Sequence, residues 1–184
     1  IEFVKEGFRA RIYRTWVSFL TQLHFLYLWN SLLDEKVQAN AELDMQGIDG
    51  LIEIPYLEKV YKVGLQVKKI SMRREVRERK FRKKRPTQID LLIEIPYSVS
   101  PPEKLIRKIE SPRVKEDTKK VYRRELEFIQ RYLRRLPNGF VIFKEEYARA
   151  IYDIIHETLS KGELPEKPPK VLKWDEIITL LLRY

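Results

Sequence analysis

The sequence predicts an α/β (α+β) protein with a mixed central β-sheet flanked by helices. Three observations predict it. Residues from Glu2 to Gln38 repeat apolar side chains at three- and four-residue steps, the helical period. The text DGLIEIPY at Asp49 to Tyr56 nearly recurs as DLLIEIPY at Asp90 to Tyr97, and both runs read as buried strands that end at a proline. From Glu103 onward the helical spacing returns, broken by a short apolar strand at Phe140 to Phe143.

The N-terminal helix is set by Phe8, Ile12, Trp16, Phe19, Leu20, Leu23, Leu26, Tyr27 and Leu33. Its second half, Trp16 to Leu33, is apolar almost all round, which predicts burial against more than one surface, in the core or at a dimer interface. His24 falls in this segment and is expected to be a hydrogen-bonded core histidine. Lys5, Arg9, Arg11 and Arg14 form a basic, solvated face. Ala39-Asn40-Ala41 ends the helix. A strand follows from Asp49 to Pro55, then a tight hairpin at Pro55 to Lys59, then a second strand from about Val60 to Ile70. The two-residue period puts Val63, Leu65 and Val67 on one face of that strand, with Gln66 and Lys68 on the other.

Ser71 to Arg85 is the strongest charge run, with nine Lys or Arg against two Glu. Met72, Val76 and Phe81 give it a thin apolar stripe, so a helix is expected. Leaving the strand that carries Lys68, it is placed to contact phosphates through Arg73, Arg74, Arg77, Lys80, Arg82, Lys83, Lys84 and Arg85. Beyond the Asp90 strand, short helices are expected at Glu103 to Ile109 and Val121 to Leu136, with a stop at Pro137-Asn138-Gly139. A helix from Glu145 to Leu159, a proline-rich connector and a last apolar helix from Trp174 to Leu182 complete the chain.

At 184 residues the chain is long enough for one domain with a substantial core. Within it lie a helical segment over 2–38, a central unit over 42–97 and a helical part over 101–184. No apolar run approaches the roughly 20 residues a membrane span requires, and no secretory signal is evident. The absence of cysteine excludes disulfides, thiolate zinc sites and a cysteine nucleophile. A cytoplasmic protein is the simplest reading. The net charge of +10 favours a polyanionic partner, above all nucleic acid. Abundant charge of both signs resembles the composition of thermophile proteins. Neither GxxxxGK nor GxGxxG occurs, so no nucleotide-cradling loop and no nucleotide cofactor are expected.

Asp49, Gln66 and Lys68 are the residues that carry chemistry. An acid at the start of one strand and a Gln-X-Lys on its neighbour can meet at adjacent strand ends. Phosphodiester hydrolysis needs a divalent cation on a phosphate oxygen and a group that positions the attacking water. Mg2+ takes hard oxygen ligands and keeps several waters, so one or two carboxylates suffice. Asp49 supplies a carboxylate, Gln66 a neutral carbonyl oxygen, and Lys68 a cation to orient water and offset phosphate charge.

Gly47-Ile48-Asp49-Gly50-Leu51-Ile52-Glu53-Ile54, followed by Gly64-Leu65-Gln66-Val67-Lys68, resembles the PD-(D/E)XK nuclease superfamily, most of all its type II restriction endonucleases. The resemblance implies a restriction-endonuclease-like fold, Asp49 as the metal-binding acid and Lys68 as the catalytic lysine. It puts Gln66 where the family usually has Glu or Asp. An amide is a poorer Mg2+ ligand, so a further acid should compensate. Glu42 corresponds to the helix-borne acid of several such nucleases and is preferred. Glu53, four residues after Asp49 on the same strand face, is the alternative, and Asp44 is a further candidate. Asp90 ranks below Asp49 because no Gln-X-Lys or Glu-X-Lys strand follows it closely. The implied activity is Mg2+-dependent cleavage of double-stranded DNA by a sequence-specific homodimer. A repair or Holliday-junction-resolving nuclease of the same fold is the alternative, as is a non-catalytic nucleic-acid-binding protein.

Overall fold

The computed structural model describes residues 2–70, 89–162 and 169–183. Their elements are α1 (Glu2–Leu32), α2 (Ala41–Met45), β1 (Gly50–Tyr56), β2 (Lys59–Lys69), β3 (Leu91–Tyr97), α3 (Pro102–Glu110), α4 (Glu116–Tyr132), β4 (Leu133–Arg135), β5 (Val141–Phe143), α5 (Glu145–Ser160), β6 (Lys170–Leu172) and α6 (Trp174–Leu181). The run from Ser71 to Arg85, with the eight basic residues expected to contact phosphates, lies outside the described residues.

Helix α1 ends before the expected Gln38, and side chains explain why. The Trp29 indole donates to the Glu35 carbonyl at 2.8 Å. The Asn30 amide takes the Val37 N–H at 2.7 Å and donates to the Val37 carbonyl at 3.3 Å. Asn30 thus replaces the backbone partners that a continuing helix would supply and folds residues 33–38 back. That segment meets β1, where Gln38 and Leu51 exchange both backbone bonds at 2.8 Å.

The apolar half of α1 is not buried all round. Phe25, Leu26 and Trp29 enter the core, whereas Ile12, Trp16, Phe19, Leu23 and Tyr27 remain exposed. Among the described residues α5, β5 and β2 pack against α1.

The main sheet has the order β1-β2-β3-β6. β1 runs antiparallel to β2. β2, β3 and β6 run parallel. The β1–β2 hairpin closes at the pair Tyr56 and Lys59, with Leu57 at a φ of 54° and fully out in solvent. One sheet face carries Ile52, Ile54, Val63, Leu65, Leu91, Ile93, Ile95 and Tyr97 into the core. There Phe25, Phe143 and Tyr147 pack as an aromatic cluster with ring centroids 5.1 to 6.0 Å apart, geometry that adds to plain area burial. The opposite face carries Glu53, Gln66, Lys68 and Glu94, of which Gln66 and Glu94 are register partners.

Two strands were not legible as such. Leu133–Arg135 continues the helical spacing of α4 yet forms β4, a hairpin with β5. Lys170–Leu172 forms β6 on the edge of β3. Each has three residues, too few to show a period, and is held by its partner strand. His24 is hydrogen-bonded as expected but only half-buried: its Nδ1 accepts the Phe143 amide at 3.4 Å and its ring stacks on Phe143. Among the described residues no helix is long and apolar enough to cross a membrane.

Candidate active site

Helix α2 delivers Asp49. The Asn40 side chain accepts the Leu43 amide and caps the helix start. At the other end, the Gly47 N–H bonds the Asp44 carbonyl at 2.8 Å and the Ile48 N–H bonds the Leu43 carbonyl at 2.9 Å. This is a Schellman turn, and Gly47 takes its left-handed position at φ 80°. Ile48 is then buried and Asp49 begins the pairing with β2. Gly50 permits a close approach: a Cβ there would lie 2.4 Å from Val37 Cγ1. The two glycines of Gly47-Ile48-Asp49-Gly50 therefore fix the acid from both sides.

Asp49 is seated on the strand that bears Lys68. Its N–H bonds the Leu65 carbonyl at 2.8 Å, and its Oδ2 accepts the Val67 N–H at 2.6 Å. The carboxylate thus lies over the backbone between Gln66 and Lys68. Its charge also reaches Tyr97. That phenol is held above its ordinary value of 10.0 mainly by burial, with the Ser18 hydrogen bond opposing and the Asp49 charge adding to the rise.

Lys68 points along the sheet to Glu94 on β3, with Nζ and Oε1 3.0 Å apart. Glu94 Oε2 accepts the Trp174 N–H, the first amide of α6, at 3.0 Å. Glu94 is also the register partner of Gln66. The fold therefore gathers Asp49, Gln66, Lys68 and Glu94. Glu94 went unnoticed in the sequence, although it stands in the second LIEIPY run where Glu53 stands in the first.

Strand direction decides which of the two acids reaches the site. β1 opposes β2, so Glu53 pairs with Lys62, six residues before Lys68, about 20 Å along the strand. β3 runs with β2, so Glu94 arrives beside Lys68. The same reversal brings Asp49 to the site and sends Asp90 to the far end, where its carboxylate takes the Lys62 N–H at 2.9 Å and pairs with Lys59 at 3.1 Å. The structure does not bring Glu53 to the Asp49 carboxylate. Glu42 and Asp44 lie on α2, both exposed, on the short helix whose end turn leads into Asp49. Among the described residues no three His, Asp or Glu side chains form a metal cage.

A mixed sheet between helices, with an acid entering β1 and Gln-Val-Lys on β2, is a restriction-endonuclease-like architecture. The family model described as TaqI restriction endonuclease matches residues 1–155, and the chain belongs to that family. The type II restriction enzyme TthHB8I of Thermus thermophilus is 37% identical over 179 residues, covering 96% of this chain and 61% of the relative. The type II restriction enzyme TaqI of Thermus aquaticus is 42% identical over 151 residues, covering 81% of this chain and 53% of the relative. The chain thus spans less than two thirds of the length of these relatives. No solved structure matches it at a significant level.

Proposed function

We propose that this chain carries the active site of a Mg2+-dependent type II restriction endonuclease, which hydrolyses phosphodiester bonds in double-stranded DNA in the cytoplasm. The observation that carries the proposal is the seating of Asp49 on the backbone of the Gln66-Val67-Lys68 strand, in a chain of the TaqI restriction endonuclease family. The net charge of +10 suits a polyphosphate substrate. Arg73, Arg74, Arg77, Lys80, Arg82, Lys83, Lys84 and Arg85, eight of the nine basic residues in that run, are the proposed phosphate contacts.

The donor set fits a cation that keeps part of its water shell. Asp49 offers a carboxylate and Gln66 an amide oxygen, and Mg2+ sites on nucleic acids commonly combine one or two carboxylates with phosphate oxygens. Glu42 at the start of α2 is the proposed additional acid. When bound, Mg2+ neutralises phosphate charge and eases deprotonation of a nearby water. The chain's own groups do the rest. Val67 N–H fixes the Asp49 carboxylate. The Lys68 ammonium orients the attacking water and stabilises the charge that builds on the phosphate. A homodimer is proposed, since two such sites related by two-fold symmetry match a palindromic duplex.

The test is incubation of the protein with long duplex DNA, with and without Mg2+, at raised temperature. Discrete fragments formed only with Mg2+ are expected. Asp49→Ala and Lys68→Ala should each remove cutting and leave a folded, DNA-binding protein. Cleavage confined to branched DNA would favour a junction-resolving nuclease. Salt-sensitive binding without cutting would favour a non-catalytic DNA-binding protein, the reading that the neutral Gln66 supports.

A further inference from the structure

We propose that Glu94 is the positioning residue of this active site, holding Lys68 with one carboxylate oxygen while the other caps helix α6. The inference rests on the reading of Lys68 as the catalytic lysine.

Glu94 Oε1 lies 3.0 Å from Lys68 Nζ, and the two side chains are only 13% and 28% exposed. A lysine ammonium sits on a flexible four-carbon stem, so a shielded carboxylate at this distance restricts where the charge can go. The other oxygen is engaged as well: Glu94 Oε2 accepts the Trp174 N–H at 3.0 Å. That amide opens α6 and has no partner within its helix, and the positive end of the helix favours a carboxylate there. Glu94 therefore sits between two positive groups, one on each oxygen.

The capping end is rigidly mounted. β6 ends at Leu172 beside Ile93 of β3, so α6 starts alongside Glu94. Ile177, Ile178 and Leu181 bury α6 in the core. A line of fixation runs from the core through α6 to Glu94 and on to Lys68. The anchoring amide belongs to residue 174, beyond the 1–155 stretch that defines the family match, so the C-terminal segment forms part of the site.

The competing role for Glu94 is that of a metal ligand beside Gln66, its register partner. The engagement of both oxygens by N–H donors favours positioning.

Single-turnover cleavage by the full chain, Mg2+ titration, DNA affinity in Ca2+ and thermal melting together separate the roles. Glu94→Ala should cleave about 10²-fold more slowly, the cost of a misplaced catalytic group, with DNA affinity and half-saturating Mg2+ unchanged. Glu94→Gln should recover part of the rate, because its amide oxygen can still accept from Lys68. Trp174→Pro removes the anchoring N–H at the first helical position, where proline is tolerated. It should cleave more slowly than Trp174→Ala, which keeps the amide and loses the same side chain. The proposal is overturned if Glu94→Ala cleaves at the wild-type rate, or if the two Trp174 variants cleave alike. It is also overturned if high Mg2+ restores the Glu94→Ala rate, which would make Glu94 a metal ligand. Should Lys68→Ala remain fully active, the underlying active-site reading fails; an inactive Lys68→Ala beside an active Glu94→Ala refutes the positioning role alone.

Discussion

The Val67 N–H holds the Asp49 carboxylate at 2.6 Å, so the acid entering β1 is tied to the backbone of the strand that presents Gln66 and Lys68. The tie needs an oxygen acceptor, which an amide side chain also supplies. Asp49→Asn keeps that acceptor and removes the negative charge. Cleavage should therefore fall by at least about 10²-fold, the scale of losing one preorganised electrostatic group. The melting temperature should stay close to wild type. Plasmid cleavage and a thermal melt read the two effects separately, and a variant that cuts normally would remove Asp49 from the mechanism.

In the proposed site Gln66 stands beside Asp49 as a neutral amide, and its register partner Glu94 is engaged by Lys68 and Trp174. Gln66→Glu puts a carboxylate next to Asp49 at nearly constant shape. The half-saturating Mg2+ concentration should drop by about tenfold, corresponding to about 1.4 kcal/mol from one charged ligand. Binding to DNA without metal should weaken, because the new charge repels phosphate. Cleavage rate against Mg2+ concentration measures the first effect; an unchanged midpoint would mean that position 66 does not touch the cation.

The sequence made Asp49, Gln66 and Lys68 legible because a two-residue period and a short hairpin settle faces and direction without further information. It left Glu94 hidden because DGLIEIPY and DLLIEIPY are locally alike. Which acid of each octapeptide reaches Lys68 depends on whether its strand opposes or accompanies β2, a property of the connections. A two-residue loop forces β1 antiparallel. The long connection after Lys69 permits the parallel crossover that β3 makes. Chain direction, read from loop length, was thus a signal available for Glu94. The fold-back after α1 had no such signal: it hangs on the Asn30 side chain and the Trp29 indole, contacts that only appear once residues 33–38 have turned.

Gly50 is a steric necessity. An added Cβ would stand 2.4 Å from Val37 Cγ1 and 3.0 Å from Leu26 Cδ2. Valine has little freedom to turn away. Gly50→Ala should destabilise the fold by about 1–3 kcal/mol, the range for overpacking. Because Gly50 adjoins Asp49, activity should fall with it. Val37→Ala opens the clashing space, so the double variant should be more stable than the two single losses added together. Denaturant melts of all four proteins complete the cycle, and simple additivity would show that the clash lies elsewhere.

His24 gives the fold a pH dependence whose sign can be derived. Burial lowers its pKa below the ordinary 6.5. Its Nδ1 accepts the Phe143 N–H at 3.4 Å, and an imidazolium has no lone pair left to do so. The unfolded chain therefore takes up the proton first as pH falls, and the folded state is penalised. The stability linked to His24 is complete above pH 6.5 and is lost as pH falls from there toward the lower folded value. His24→Gln retains an acceptor that does not titrate. Its melting temperature should fall less than that of the wild type between about pH 7 and pH 5. Parallel melting curves for the two proteins across that window would show that the Phe143 contact does not depend on a neutral His24.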